Sequence, residues 1–407
     1  MRTLLTTLVL SLVALTAAQQ SDDDDSSRLL TVEPQRQLSI AELDAEVGGR
    51  FANNGEPAPQ ATTAVQTYLL SFTTTAQDGS EVTGRAQLFV PAEPAGEALL
   101  AFAPGSTGLT RECSPLQEFL NTGNFDTYAA TALSYAGQGF VSVLPDYLAS
   151  LGPDLLQPYF VAMAEASVLI DAVRASLEAV TQLDADINMI TTFLAGYSQG
   201  GHAVLAAADR LDTHAPDLEF GGVIGFGASG ELEVLFEHFH YTAPWVIWSY
   251  RHTYPEAELD PADVLQPTYA QRIDQDVRNH CILEAQNSYP VEPSGMYTDE
   301  FFVALTGGTI AEHFPAWAEV FAANATGTSE HGLPMLFLQG LDDPIVPLDE
   351  QTRFVQQLCR NGSPVRYANY INTRHETRYV GFPETLSWMR NLVQGGTPPS
   401  DCSEVLR

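Results

Sequence analysis

"FLAGYSQGGHAVLAAA", residues 193–208, decides the fold. An apolar run ends in Gly196-Tyr197-Ser198-Gln199-Gly200 and passes into a string of small residues. A Gly-x-Ser-x-Gly match alone turns up by accident in about 0.1 chains of this size. It gains meaning when the serine sits on a sharp turn between a strand and a helix. Here "NMITTFLA" precedes the motif and "GGHAVLAAADRL" follows it, so both flanks fit. Glycines at 196 and 200 remove side chains where strand and helix crowd together, leaving the Ser198 hydroxyl in a strained, exposed position. The Gln199 N–H then faces any oxyanion formed at Ser198, and small residues at 201, 203 and 206–208 allow close packing beneath.

Outward from this stretch the chain alternates. "EALLAFAPGS" (97–106), "GFVSVLPDY" (139–147), "EFGGVIGFGA" (219–228) and "GLPMLFLQGLDD" (332–343) are short apolar runs closed by Gly, Pro, Ser or Asp, as buried parallel strands are. Between them lie helical stretches, the clearest being 161–180, with Met163, Ala166, Ile170, Val173 and Leu177 at three- and four-residue steps. This predicts a mainly parallel sheet covered by helices on both faces, with chemistry in the loops at the carboxyl ends of strands. "AVQTYLLSFTTTAQDGSEVTGRAQLFVPA" reads as a preceding antiparallel hairpin. More than 100 residues separate the strand at 219–228 from the next, and they are rich in aromatics with helical punctuation, which predicts an inserted cap. The expected organisation is a signal peptide at 1–18, an acidic tail at 19–62, core segments at 63–230 and 333–407, and a helical cap at 231–332.

A serine hydroxyl is a weak nucleophile at neutral pH and needs a base that is itself oriented by a carboxylate. In this architecture the chain order is Ser, acid, His. "LFLQGLDDPIVP" puts Asp343 in a loop after an apolar strand, and "PVRYANYINTRHET" puts His375 just past the next. Asp342 is the rival acid, but Asp343, followed by Pro344-Ile345-Val346-Pro347, better fits a carboxylate held in a tight turn. His202, one turn beyond Ser198, is expected to pack or cap, and His252, His280 and His313 fall in the cap. His238 and His240 could share one strand face as metal ligands, yet no third ligand accompanies them, so neither metal nor cofactor is expected. The loop "AFAPGSTGLTREC" should supply a second oxyanion donor, with the Ser106 N–H first and Gly105 next.

Composition narrows the partners. Acidic residues outnumber basic ones 51 to 18, every basic residue is arginine, and the formal charge is −33. Such a surface repels nucleic acid and anionic headgroups and favours a soluble, monomer-like protein. Residues 1–20 combine one positive charge, an apolar run and small residues at Ala17 and Ala18, which reads as a secretory signal, and no other apolar run approaches a membrane span. An exported chain oxidises its cysteines. The four allow three pairings; Cys359 with Cys402 is the closest in sequence, closing a loop worth about 4 kcal/mol, and leaves Cys113 with Cys281. Sequons stand at Asn324 and Asn361.

From about residue 65 to 400 the chain resembles the α/β-hydrolase superfamily, and within it the secretory lipases similar to fungal lipase A. The resemblance rests on "GSTGLTREC", "GQGFVSVLPDYLASLG", "YFVAMAEASVLIDAVRA", "AGYSQGGHA", "GLDDPIVP" and the C-terminal cysteine pair. It implies an exported ester hydrolase with an α/β-hydrolase fold and a helical cap near the acyl-binding region, and it places the triad on Ser198, Asp343 and His375. Pro104 departs from the histidine that many relatives carry in the oxyanion loop. The substrate expected is a small-molecule or lipid ester. A capped serine peptidase and a non-catalytic binding protein of the same fold are the competing readings, to be separated by aminoacyl-amide substrates and by fluorophosphonate labelling.

Overall fold

A computed structural model describes residues 27–94, 98–117, 128–148, 155–184, 187, 189 and 191–407. The signal expected over 1–18 and the run Asp22 to Asp25 lie outside the described residues. Among the described residues nine strands form one sheet: β1 (Leu29–Leu38), β2 (Val65–Thr75), β3 (Glu81–Pro91), β4 (Ala98–Ala103), β5 (Val141–Asp146), β6 (Thr191–Tyr197), β7 (Phe220–Phe226), β8 (Met335–Gly340) and β9 (Val365–Tyr370). Their order is β1-β2-β3-β5-β4-β6-β7-β8-β9. The first three strands run antiparallel to their neighbours, and from β5 to β9 every pair is parallel.

The pleat of β4 shows how the layers arise. Successive side chains point to opposite faces, so Leu99, Ala101 and Ala103 join one apolar cluster while Ala98, Leu100 and Phe102 join another. The helices α1 (Ile40–Asn53) and α2 (Tyr128–Ala136) and the helix Phe382–Val393 cover the second face. On the first lie α3 (Ala162–Leu183), α4 (Gln199–Ala208) and the helix Leu348–Arg360. All six β4 residues are buried, and each fully buried large apolar side chain contributes about 1.5–3 kcal/mol.

The sequence reading of 19–62 as a tail needs correction, because β1 extends the sheet and α1 packs Leu43, Val47 and Phe51 into the core. β1 escaped notice because an edge strand with one wet face carries polar residues and tolerates Pro34. The start of α1 was legible: Ser39 and Glu42 form a reciprocal capping box, the Ser-x-x-Glu signature.

Between β7 and β8 the chain folds as short helices, the longest Ala243–Thr253, around a third apolar cluster containing Trp245, Phe236, Tyr297 and Trp317. This cap also gathers Leu109, Leu156, Tyr159 and Phe160 from the core segment, so the two parts share one packed seam. The Cys113–Cys281 disulfide and an Ile282 N–H donating to Thr107 O at 2.9 Å tie the cap to the loop after β4, and Cys359–Cys402 closes the C-terminus onto the helix Leu348–Arg360. Among the described residues no helix is long and apolar enough to cross a membrane.

Candidate active site

Ser198 sits between β6 and α4 at φ 53°, ψ −115°, a backbone conformation that L-residues rarely adopt. Its amide donates to Phe226 O at 3.1 Å, and its carbonyl accepts from Gly201 N at 2.8 Å and Ser229 N at 3.1 Å. The turn is therefore over-determined by β7 and the loop beyond it. A Cβ at residue 196 would stand 2.0 Å from Gly200 O, and one at residue 200 would stand 2.0 Å from Ala103 O. Both glycines are thus sterically required. As the first residue of α4, Gln199 has no intrahelical acceptor for its N–H.

The loop after β9 brings His375 to the loop after β8. His375 Nδ1 lies 2.8 Å from Asp343 Oδ2, and Asp343 Oδ1 accepts from the Ile345 and Val346 amides at 2.8 and 3.0 Å. A carboxylate accepts, so Nδ1 carries a proton. His375 Nε2 is buried and has no protein hydrogen-bond partner. Asp342 points to solvent, while its amide donates to Thr373 O. Space for the imidazole is made by Gly227, where a Cβ would lie 3.0 Å from His375 Nδ1, and the Tyr197 ring packs 5.1 Å away centroid to centroid.

Ser106 is buried on the loop after β4, and its hydroxyl meets Tyr159 OH at 2.6 Å. The Ser106 N–H has no backbone acceptor among the described residues. Two residues at the end of β5 hold this loop: Tyr147 OH donates to Pro104 O at 3.0 Å, and Asp146 Oδ2 accepts from Ser114 Oγ at 2.9 Å. Burial drives the Tyr147 and Tyr159 phenols above their ordinary value, so both remain neutral.

Ser106, Ser198 and His375 line one cavity of about 460 Å³. Phe239, Ile282 and Ile345 give it an apolar wall, while Asn53 and Arg374 stand on its polar side. Arg378 also lines it, with its guanidinium 4.2 Å from the Tyr197 ring centroid and paired with Glu376.

A family model described as secretory lipase matches residues 120–401, well over half of the chain. The chain belongs to the secretory lipase family. Among curated relatives, secreted triacylglycerol lipase LIP4 of Malassezia furfur is 25% identical over 273 residues, spanning 64% of this chain and 49% of that protein, so the match covers about half of that relative's length. The LIP4 of Malassezia globosa is 22% identical over 83% of this chain and 74% of its own. The crystal structure of Candida antarctica lipase A superposes with a TM-score of 0.67 at 18% identity, over 92% of this chain and 84% of that one. The fold is accordingly the α/β-hydrolase fold.

In this secretory lipase family member, His202 packs as expected from its place one turn beyond Ser198. His202 neither faces nor serves Ser198. Its Nδ1 lies 2.6 Å from Glu165 Oε2, and its Nε2 lies 2.8 Å from the Asn324 carbonyl. The Asn324 side chain accepts from Ala162 N and donates to Val320 O. It is 1% exposed, so the sequon there offers no accessible amide in the folded chain. His238 and His240 do not share a strand face, because one ends the helix Leu232–His238 and the other opens a single turn whose His240 Nε2 meets Pro290 O.

Proposed function

We propose that this chain is an exported carboxylic ester hydrolase acting through Ser198, His375 and Asp343. The observation that carries the reading is that His375, its Nε2 buried and unpartnered and its Nδ1 held by Asp343, lines the same cavity as the strained Ser198. Ser198 Oγ attacks the ester carbonyl as His375 Nε2 takes its proton, and the oxyanion receives the Gln199 and Ser106 amides, each worth about 3–4 kcal/mol in such sites. The proton returns from His375 to the leaving alcohol, giving an acyl-enzyme. Water then repeats the sequence, releasing the acid and restoring Ser198. Asp343 keeps the imidazole in the tautomer this requires.

The apolar wall of Phe239, Ile282 and Ile345 supports an acyl group on that side, in line with the triacylglycerol lipases among its relatives. Hydrolysis of p-nitrophenyl esters from acetate to palmitate tests the reading and the chain length together. Loss of turnover and of the fluorophosphonate adduct in Ser198→Ala supports it, and turnover that survives this change refutes it.

A further inference from the structure

A carboxylate buried without need is costly: the effective penalty is several kcal/mol per ion, and well-packed apolar replacements of buried ion pairs are often as stable. Glu165, near the start of α3, has a side chain that is 0% exposed. It accepts from three donors on two segments, the turn before α3 and the first turn of α4: Phe160 N at 3.1 Å and Gln199 Nε2 at 2.7 Å on Oε1, and His202 Nδ1 at 2.6 Å on Oε2. The reason for its presence lies in what those donors carry.

Gln199 bears the amide beside Ser198, and its side chain has nowhere to swing while Glu165 holds it. His202 stands one turn further along α4, so the first turn of that helix is fastened at two points to the same carboxylate. On the other side, Phe160 is a non-glycine residue at φ 55°, a strained conformation that its bond to Glu165 helps to maintain. The neighbouring Tyr159 reaches Ser106 Oγ at 2.6 Å, and its ring stands edge-on to Trp245 of the cap at 5.4 Å. Both amides of the proposed oxyanion hole are therefore referred to one buried group, one through Gln199 and the other through Phe160, Tyr159 and Ser106.

We infer that Glu165 is the positioning residue of the oxyanion hole, setting the separation and angle of the Gln199 and Ser106 amides without touching substrate. The inference rests on the ester hydrolase reading of the site. It predicts that Glu165 acts on the tetrahedral species and not on ground-state binding, which a purely structural role would not do.

The test compares wild type, Glu165→Gln and Gln199→Met on a soluble p-nitrophenyl ester, with active sites counted by fluorophosphonate titration and folding followed by Tm. Glu165→Gln replaces the charged acceptor of the Phe160 and Gln199 N–H groups by a weaker neutral one and puts an amide N–H against His202 Nδ1, and kcat per titrated site should fall about 10- to 100-fold while KM stays within about threefold. Affinity for an alkylboronic acid, which forms a tetrahedral adduct on the serine, should fall by a similar factor. Gln199→Met keeps the backbone amide and removes only its tether, and about a tenfold loss in kcat is expected at unchanged Tm. Wild-type kcat per site in a folded Glu165→Gln overturns the inference, as does a loss confined to KM. If Glu165→Gln does not fold, Gln199→Met decides alone, and kcat within about twofold of wild type overturns it. Absence of any fluorophosphonate adduct on wild-type Ser198 would instead overturn the ester hydrolase reading, and the inference with it.

Discussion

Replacing Asp343 by asparagine changes one atom and reverses one hydrogen bond. Asp343 Oδ1 already accepts from the Ile345 and Val346 amides at 2.8 and 3.0 Å, and Oδ2 accepts from His375 Nδ1 at 2.8 Å. Asparagine has one oxygen, and the two backbone donors claim it. Its NH2 group then faces Nδ1, which must give up its proton to accept. The imidazole shifts to the tautomer protonated on Nε2, the atom that should receive the Ser198 proton, and the base is lost while the loop stays intact. An equivalent tautomer reversal in a serine protease triad costs about 10⁴ in kcat, or about 5.5 kcal/mol of barrier. Asp343→Asn should therefore lose about 10⁴-fold in kcat/KM on a p-nitrophenyl ester with little change in Tm. Asp342→Asn, at an exposed position, should stay within about twofold of wild type. Both are read as kcat/KM per fluorophosphonate-titrated site. Retention of more than about a tenth of the activity by Asp343→Asn, or a large loss in Asp342→Asn, would refute the reasoning.

Three further outcomes follow from the same geometry. Gly200→Ala places a methyl 2.0 Å from Ala103 O, so it should destabilise by about 3 kcal/mol or more in urea titration and abolish fluorophosphonate labelling; a folded, active variant would show that the turn relaxes. Removing Cys113–Cys281, which joins residues 168 apart, should lower stability by about 2–5 kcal/mol and loosen the Ser106 loop, seen as a fall in both urea midpoint and kcat. Burial raises the Glu231 carboxyl above its ordinary 4.5, with Glu350 and Glu233 adding to the shift and Arg353 opposing it. A raised carboxyl makes the folded state bind its proton more tightly, so stability is lost as pH rises through the folded value. Glu231→Gln should raise Tm by about 1–3 °C at pH 8, with the gain vanishing as pH falls below the ordinary value; a gain that grows on acidification would contradict the sign.

Local pattern determined a great deal. The turn around Ser198 was legible because two glycines flanking a serine between an apolar run and a small-residue helix form a contiguous signal, and Asp343 and His375 followed from chain order at the ends of later strands. The parallel sheet was legible from apolar runs, and the helical character of the segment between β7 and β8 from their long interruption. Even α1 carried its Ser39–Glu42 signature, although polar surroundings hid it. What tertiary structure alone decided depends on contacts between residues far apart. Asp343 and Asp342 are neighbours with the same chemistry; the Pro-flanked turn favours Asp343 in sequence, and the approach of His375, brought by β9 and given room by Gly227, supplies the contact itself. Glu165 looks like an ordinary helical glutamate in sequence, yet the packing of α3 against α4 buries it among donors from residues 160, 199 and 202. Asn324 likewise reads as a sequon, yet it is buried where the inserted segment packs on α3 and α4. Sequence records which groups are present and their local geometry; burial and partnership, which set what a polar group does, exist only once distant segments have been brought together.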